Sequence, residues 1–190
     1  KNWSISQDSG EDGVRASLDN AELGSYDDLI TITAYKGTAT EVTVPSEIRG
    51  LKIVGIAKST FKGKSNITKV VLPETIETIT DSAMSNMTSL SSMNLPENTI
   101  VSPGAFDGTD YLLNTYVKEV NGLEIVNNNG IYGIAGDEIT GTVNIPEGVL
   151  SVPDNIFEDQ VGVTGVTIPS TVTSIGEAAF AGTSLVDVTI

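Results

Sequence analysis

The stretch Val166–Leu185, VTIPSTVTSIGEAAFAGTSL, contains the pattern that decides the fold of this chain. A short run of alternating aliphatic residues ends at Pro169, and an Ala-Phe pair centred on Phe180 follows, with Gly182 two positions later. Alternation predicts a strand because successive side chains point to opposite faces. Proline stops the strand, and glycine marks a turn. The stretch therefore predicts one coil of chain made of a strand, a second short extended piece and a tight helical turn.

The same pattern recurs along the chain at nearly constant spacing. The residues equivalent to Phe180, called anchors below, are Phe61, Met84, Phe106, Phe157 and Phe180. Their spacings are 23, 22, 51 and 23 residues, and an aliphatic residue stands five positions before each anchor. One such coil cannot enclose its own aliphatic face, so successive coils must stack on one another. The spacing therefore predicts a row of aligned anchors, in which replacing Met84 or Phe180 by alanine costs about 2–5 kcal/mol.

The strand of each coil is expected to bury alternate residues. In the copy that ends at Pro73, Val70 and Leu72 are predicted to point inward and Val71 outward. Only 5% of the chain is aromatic, so the interior is expected to consist of thin aliphatic layers.

The stretch Val166–Leu185 resembles the unit repeat of the BspA-like leucine-rich-repeat family of bacterial surface proteins, at its Ile-Pro, Ser-Ile-Gly and Ala-Phe positions. VVLPETIETITDSAMSNMTSL, which begins at Val70, and VNIPEGVLSVPDNIF, which begins at Val143, are looser copies. The resemblance implies a leucine-rich-repeat-type right-handed solenoid, β-rich, with short parallel strands, single helical turns and β-hairpin insertions. Family copies often carry cysteine shortly after the Ala-Phe pair, and this chain has none.

The repeats predict a single repeat domain over residues 1–190. Its expected parts are an N-terminal cap or arm (1–28), a first repeat block (29–112), a hairpin insertion (113–140) and a second repeat block (141–190). Asn129 and Gly130 are predicted to form the turn of the inserted hairpin, since Asn-Gly between alternating strands is a strong hairpin signal. LITITAYKGTATEVTVP, starting at Leu29, is interpreted as a similar hairpin, and the joint between the blocks is expected near 114–122.

Composition excludes several classes of function. The chain has no cysteine and no histidine, which removes disulfide frameworks, Cys and His zinc sites, thiol nucleophiles and histidine-based triads. Its formal net charge of -15 repels nucleic-acid backbones and anionic lipid surfaces. No apolar run approaches the roughly 20 residues of a membrane-spanning helix, so membrane insertion by this segment is not expected.

The resemblance implies an extracellular or cell-surface protein of adhesive function. The expected partner is a protein or a surface glycoconjugate, including host extracellular matrix, and no enzyme activity, cofactor or metal is expected. Stacked strands present an extended surface of outward residues that repeat proteins use for binding. The candidate binding residues on this exposed strand column are Thr43, Lys69, Val71, Asn94, Asn144, Thr167, Asp187 and Thr189.

Three alternatives stay open at this point. The array could be a structural spacer within a larger surface protein. A carbohydrate-active enzyme would need two carboxyl groups across a cleft, and the adjacent pairs Asp27–Asp28 and Glu158–Asp159 are more typical of solvated turns. Calcium could use acidic turns, such as Asp8, Glu11 and Asp12 or Asp107 and Asp110, although neither spacing matches an EF-hand loop.

Overall fold

The computed structural model describes residues 2–4, 14–17, 29–48 and 50–190, and it describes side chains from residue 29 onward. These residues form two compact units, unit 1 (Lys1–Thr115) and unit 2 (Tyr116–Ile190). The boundary lies inside the segment 114–122 where a joint is expected. The assignment of 1–190 to a single domain stays a prediction.

Unit 1 is built from short strands that recur once per coil. In chain order they are β1 (Asn2–Ser4), β2 (Val14–Ser17), β3 (Leu29–Tyr35), β4 (Glu41–Thr43), β5 (Glu47–Ile48), β6 (Leu51–Ile56), β7 (Lys69–Val71), β8 (Thr78–Ile79), β9 (Ser92–Met93) and β10 (Ile100–Val101). A short helix, α1 (Asp110–Tyr116), follows, and its last residue is the first residue of unit 2. Each coil after β4 contributes one strand to each of two sheets.

The two sheets of unit 1 are largely parallel. Among the described residues, one has the order β1-β2-β3-β6-β8-β10 with β5 beside β6, and the other has the order β4-β7-β9. The pairs β1–β2 and β2–β3 are antiparallel, whereas β3–β6, β6–β8 and β8–β10 are parallel. In register, Ile56 pairs with Ile79, and Ile79 pairs with Val101. Equivalent aliphatic residues of neighbouring coils thus stand directly above one another.

Unit 2 starts with an antiparallel meander and continues as parallel coils. Its strands are β11 (Val117–Val120), β12 (Leu123–Val126), β13 (Gly130–Ile134), β14 (Gly141–Asn144), β15 (Ser151–Val152), β16 (Val163–Thr167), β17 (Ser174–Ile175) and β18 (Asp187–Thr189). One sheet has the order β11-β12-β13-β15-β17 and the other the order β14-β16-β18. The predicted β-solenoid of short parallel strands is confirmed within each unit.

The anchors form aligned rows in each unit. In unit 1, the backbone nitrogen of Phe61 donates to the Ala83 carbonyl (2.8 Å), and that of Met84 donates to the Ala105 carbonyl (2.9 Å). Phe61, Met84 and Phe106 are fully buried. In unit 2, the rings of Phe157 and Phe180 stack with centroids 5.0 Å apart. The predicted alignment is confirmed, with one correction: Phe180 is only half-buried, since within the described residues it packs against a coil on one side.

The turns that carry the anchors are sequences of tight turns rather than helices. In one of them, the Ala83 nitrogen donates to the Thr80 carbonyl (3.1 Å), and the Ser85 nitrogen donates to the Ser82 carbonyl (3.3 Å). These bonds join residues three positions apart, which gives a tighter winding than an α-helix. The second short extended piece expected in each coil is present but only two residues long, as in β8 (Thr78–Ile79) and β17 (Ser174–Ile175).

The inserted hairpin exists, but its turn lies earlier in the chain than predicted: Asn129 is the last residue of the turn, and Gly130 lies outside it. The residues with positive φ are Asn127 (54°) and Asn128 (57°), while Gly130 is the first residue of β13. The Asn129 nitrogen donates to the Val126 carbonyl at 3.2 Å. A type I′ turn requires positive φ at both central residues, and asparagine tolerates that conformation better than other non-glycine residues. Two consecutive asparagines therefore form the turn before the glycine is reached.

The hairpin predicted from Leu29 is also wrong. β3 and β4 lie in different sheets, so residues 29–45 form a complete first coil. The physical reason is Tyr35, whose buried ring lies 5.5 Å from the Phe61 ring and extends the anchor row by one coil. A hairpin occurs instead at β5–β6, where Ile48 pairs with Leu51 and Gly50 adopts a positive φ of 81°.

Candidate interaction surface

The outward residues of the two three-stranded parallel sheets form the candidate interaction surface. Strands β4, β7 and β9 of unit 1 alternate between buried and outward positions. In unit 2, β14 alternates from Thr142 to Asn144, and β16 and β18 continue from it in register. We call the outward residues of the first set ribbon 1 and those of the second set ribbon 2. Ribbon 1 consists of Glu41, Thr43, Lys69, Val71, Ser92 and Asn94. Ribbon 2 consists of Thr142, Asn144, Thr167, Asp187 and Thr189.

Ribbon 1 contains one ion pair, between Lys69 and Glu41, and one apolar residue, Val71. Thr43 lies beside Val71 in register, and Lys69 lies between Glu41 and Ser92. The Lys69 Nζ is 3.5 Å from the Glu41 Oε2, and both side chains are about half-exposed or more, at 45% and 67%. The predicted inward orientation of Val70 is confirmed, and Val71 is half-buried.

Asn94 differs from a free surface amide. Its Nδ2 donates to the Leu72 carbonyl (2.7 Å), and its Oδ1 accepts from the Leu72 nitrogen (2.8 Å). The side chain thus replaces the next backbone pairing between these two coils, directly after β9 ends. Of the candidate residues in ribbon 1, Asn94 is therefore used for holding coils together, and Thr43, Lys69 and Val71 remain available for a partner.

Ribbon 2 is a row of small polar residues in strict register. Asn144 pairs with Thr167, and Thr167 pairs with Thr189. Asp187 lies beside Gly165, where an added Cβ would stand 2.8 Å from the Thr142 hydroxyl oxygen. The glycine keeps this part of the ribbon flat, and Asp187 projects as an exposed charge.

The structure brings the predicted column residues together within each unit. Thr43, Lys69, Val71 and Asn94 are neighbours in unit 1, and Asn144, Thr167, Asp187 and Thr189 are neighbours in unit 2. Sequence reasoning missed Glu41, Ser92 and Thr142. Each of them lies two positions before a named residue, Thr43, Asn94 or Asn144, and the period of two could have found them.

A second set of polar contacts was also missed, because it follows the coil period rather than the strand. The hydroxyls of threonines and one serine donate to a carbonyl of the preceding coil, at separations of 23 to 28 residues. These contacts are Thr60 to Ile32 (2.8 Å), Thr68 to Thr40 (3.1 Å), Ser91 to Thr68 (3.2 Å), Thr99 to Ile76 (2.9 Å), Thr109 to Met84 (2.7 Å) and Thr173 to Leu150 (3.0 Å). In four of these contacts the same carbonyl, that of Ile32, Thr40, Thr68 or Leu150, also accepts a backbone N–H from the following coil. The hydroxyls thus add a second hydrogen bond between coils that the backbone already joins.

The acidic sets considered in the sequence fall in turns. Glu158 and Asp159 are exposed, as are Asp107 and Asp110. In the part of the chain that the structure describes, no three carboxylates are grouped closely enough to hold a metal ion. Asp8, Glu11, Asp12 and the pair Asp27–Asp28 lie outside the described residues.

Charge is distributed unevenly along the chain. Residues 36–69 contain seven of the ten basic residues and only two acidic ones, whereas unit 2 has ten acidic residues and one lysine, Lys118. The Lys58 Nζ lies 2.7 Å from the Asp81 Oδ2. Hydrogen bonds from Lys58 and Ser82, with the charge of Lys62, hold the pKa of Asp81 below its usual value. The first coils of unit 1 therefore carry a local positive charge within an acidic protein.

Known structures share the fold. A leucine-rich repeat protein of T. pallidum is 23% identical with a TM-score of 0.50, over 93% of this chain and 68% of its own. A leucine rich cell surface protein of Faecalibacterium prausnitzii A2-165 is 22% identical with a TM-score of 0.53, over 99% of this chain and 50% of its own. This chain thus spans half the length of the second protein. At these identities the likeness shows the fold alone.

No curated protein matches the chain. Among the described residues, the only helical segment is far too short to cross a membrane. The profile of the BspA type leucine rich repeat region matches six copies, over residues 34–113 and 132–190. These ranges comprise well over half of the sequence, so the chain belongs to the BspA-type leucine-rich-repeat family of bacterial repeat proteins.

Proposed function

We propose that this protein is a non-catalytic, secreted or surface-exposed repeat module that binds other proteins through ribbons 1 and 2. The observation that carries the proposal is the register of the outward residues. Asn144, Thr167 and Thr189 stand side by side on parallel strands, and Thr43 and Val71 do the same. A regular, accessible row of this kind suits recognition of an extended partner surface.

The chemistry of the ribbons fits a modest, hydrated contact. Ribbon 2 consists of three hydroxyl groups, one amide and one carboxylate, and ribbon 1 adds the half-buried Val71. Interfaces of this polarity use direct hydrogen bonds together with bridging water. Surface placement is supported by the family and by the description of the F. prausnitzii neighbour as a cell surface protein. Host extracellular-matrix proteins and proteins on other cells are the partner class that we favour.

Charge reversal at Asp187 tests the proposal. The purified chain and its Asp187→Lys variant are passed over a panel of immobilised, purified extracellular-matrix proteins, and binding is measured by surface plasmon resonance. We expect the chain to bind at least one of them and the variant to bind it about tenfold more weakly, because a like charge replaces a complementary one across the interface.

Glu158→Lys is the matched control, since Glu158 is an exposed carboxylate on a turn and the change in net charge is the same. The control variant is expected to bind within about twofold of the unmodified chain. Equal loss in both variants would assign the effect to net charge. Binding that is insensitive to Asp187→Lys and to Lys69→Glu would contradict the role of the ribbons and favour a spacer.

A further inference from the structure

The beginning of the anchor row in unit 1 carries a cluster of lysines. Lys36 directly follows Tyr35, Lys62 directly follows Phe61, and these two rings lie 5.5 Å apart. The Tyr35 nitrogen also donates to the Thr60 carbonyl at 3.2 Å. Lys36 and Lys62 thus occupy equivalent positions on neighbouring coils, and hydrogen-bonded neighbours of this kind are about 4.8 Å apart.

Two further lysines share the turn of Lys62. The turn is fixed by three successive backbone bonds, from Thr60 to Ala57, from Lys62 to Ser59 and from Lys64 to Phe61. Lys58 and Lys62 are exposed, and the Lys64 Nζ lies 5.9 Å from the centroid of the Tyr35 ring. We call Lys36, Lys58, Lys62 and Lys64 the lysine edge. The backbone bonds fix the turn, and Lys36, Lys58 and Lys62 are exposed, whereas Lys64 is half-buried.

The lysine edge has more positive charge than its neighbours neutralise. Among the described residues, the one ion pair that involves the lysine edge joins Lys58 to Asp81. The other cross-coil lysine pairs of unit 1, Lys52 with Glu77 and Lys69 with Glu41, involve lysines outside it. At the equivalent positions in unit 2, Glu158 replaces Lys62 and Asp154 replaces Lys58. The positive edge is therefore a property of particular coils rather than of the repeat.

We propose that the lysine edge binds a linear polyanionic glycan, whose sulfate or carboxylate groups recur along a flexible chain. Lysine ammonium groups act as point charges and tolerate varied anion geometry, which suits a polymer without a fixed shape. Neighbouring coils repeat these charges at short intervals, so that several anionic groups of one chain are neutralised together. This binding site is separate from the ribbons and takes a different class of partner.

The composition of the edge disfavours the other anionic partners. Binding to single-stranded nucleic acid relies on aromatic side chains that stack on bases, and the aromatic ring nearest the edge, Tyr35, is buried. Arginine, which forms the paired hydrogen bonds preferred for phosphate, is absent from the edge. A protein partner would use an exposed apolar anchor, and none of the described residues 57–64 is an exposed large apolar residue.

Binding of the intact chain to immobilised heparin tests this proposal, with neutral dextran as the blank. The lysine-edge variant is Lys36→Glu with Lys62→Glu, and the matched control is Lys52→Glu with Lys118→Glu, which has the same net charge and changes exposed lysines outside both the edge and the ribbons. At about 50 mM salt we expect heparin to bind the unmodified chain and the control, and the lysine-edge variant to bind about tenfold or more weakly. The slope of log affinity against log salt concentration should fall in magnitude by about two in that variant.

Three outcomes would overturn the proposal. The first is no heparin binding by the unmodified chain at low salt, and the second is equal loss in both double variants, which reports net charge alone. The third is equally tight binding of single-stranded DNA, which would assign the edge to polyanions in general. Thermal unfolding of each variant, expected to be within a few degrees of the unmodified chain, excludes misfolding as the cause.

Discussion

Units 1 and 2 use the same coil, but they bury its anchor to different extents. In unit 1, Tyr35, Phe61, Met84 and Phe106 are all buried. In unit 2, Phe157 is fully buried, whereas Phe180 is half-buried and the same coil exposes 50% of Ile175. The sequence pattern around Phe180 is the clearest in the chain, so the difference does not come from the residues themselves. Burial in a stacked structure depends on having a neighbour on each side.

The largest expected effect compares two identical residues on neighbouring coils. Replacing Phe157 by alanine should lower the free energy of unfolding by about 3–5 kcal/mol, because it opens a closed cavity. Replacing Phe180 by alanine should cost at least about 1 kcal/mol less, since part of that ring already contacts water. Urea titration of both variants measures the difference. Equal losses would mean that the coil of Phe180 is covered in solution.

A smaller effect should separate buried from exposed inter-coil hydroxyls. In unit 1, the buried Thr109 hydroxyl donates to the Met84 carbonyl and accepts from the Met87 nitrogen at 3.0 Å. Thr109→Val leaves both groups without that partner and should cost about 1–3 kcal/mol. In unit 2, the exposed Thr173 hydroxyl can be replaced by water, so Thr173→Val should cost about 0.5 kcal/mol or less. Thr109→Ser keeps the hydroxyl and should retain more stability than Thr109→Val in the same titration.

The smallest effect concerns pH and the ion pair of Lys58 with Asp81 in unit 1. Because the pKa of Asp81 is lower in the folded protein, its carboxylate stabilises the fold at pH values above its unfolded pKa, and this contribution is lost as the pH falls through the folded value. The Asp81→Asn variant should therefore have a lower unfolding temperature than the unmodified chain near pH 6 and the same unfolding temperature near pH 2. A difference that does not change with pH would contradict this origin. The effect is small because both side chains are largely exposed.

The anchor rows and the alternation of the strands were predictable because each depends on a local period. An aliphatic residue, isoleucine or valine, stands five positions before each of Phe61, Met84, Phe106 and Phe157. This recurrence alone is enough to predict that successive coils stack. The first coil was not predicted, although its anchor Tyr35 has the same context: Ala34 precedes it, Ile30 stands five positions earlier and Gly37 follows two positions later. The Asn121–Gly122 turn between β11 and β12, with positive φ at both residues, carried a clear signal that was overlooked.

The candidate site was predictable only as far as strand alternation determines it. The period of two along each strand predicts which residues face outward. Equivalent outward residues of successive coils, such as Thr167 and Thr189, lie side by side. That Asn94 uses its amide to bind the Leu72 backbone depends on where β9 ends, which the sequence does not indicate. How far Phe180 is exposed depends on whether a neighbouring coil covers it, and not on the residues of its own repeat. The local sequence pattern around Phe180 therefore cannot predict its exposure.

The nearly constant separation of hydrogen-bonded partners has an evolutionary consequence. Thr99 bonds a residue 23 positions earlier, and so does Thr173. Losing a single residue inside a coil would displace every donor of that coil from its acceptor, whereas losing 22 or 23 residues would bring equivalent donors and acceptors together again. Gene duplication and deletion in coil-length steps are therefore the least disruptive changes of length open to this protein, and copy number can vary between relatives while the individual coil is preserved.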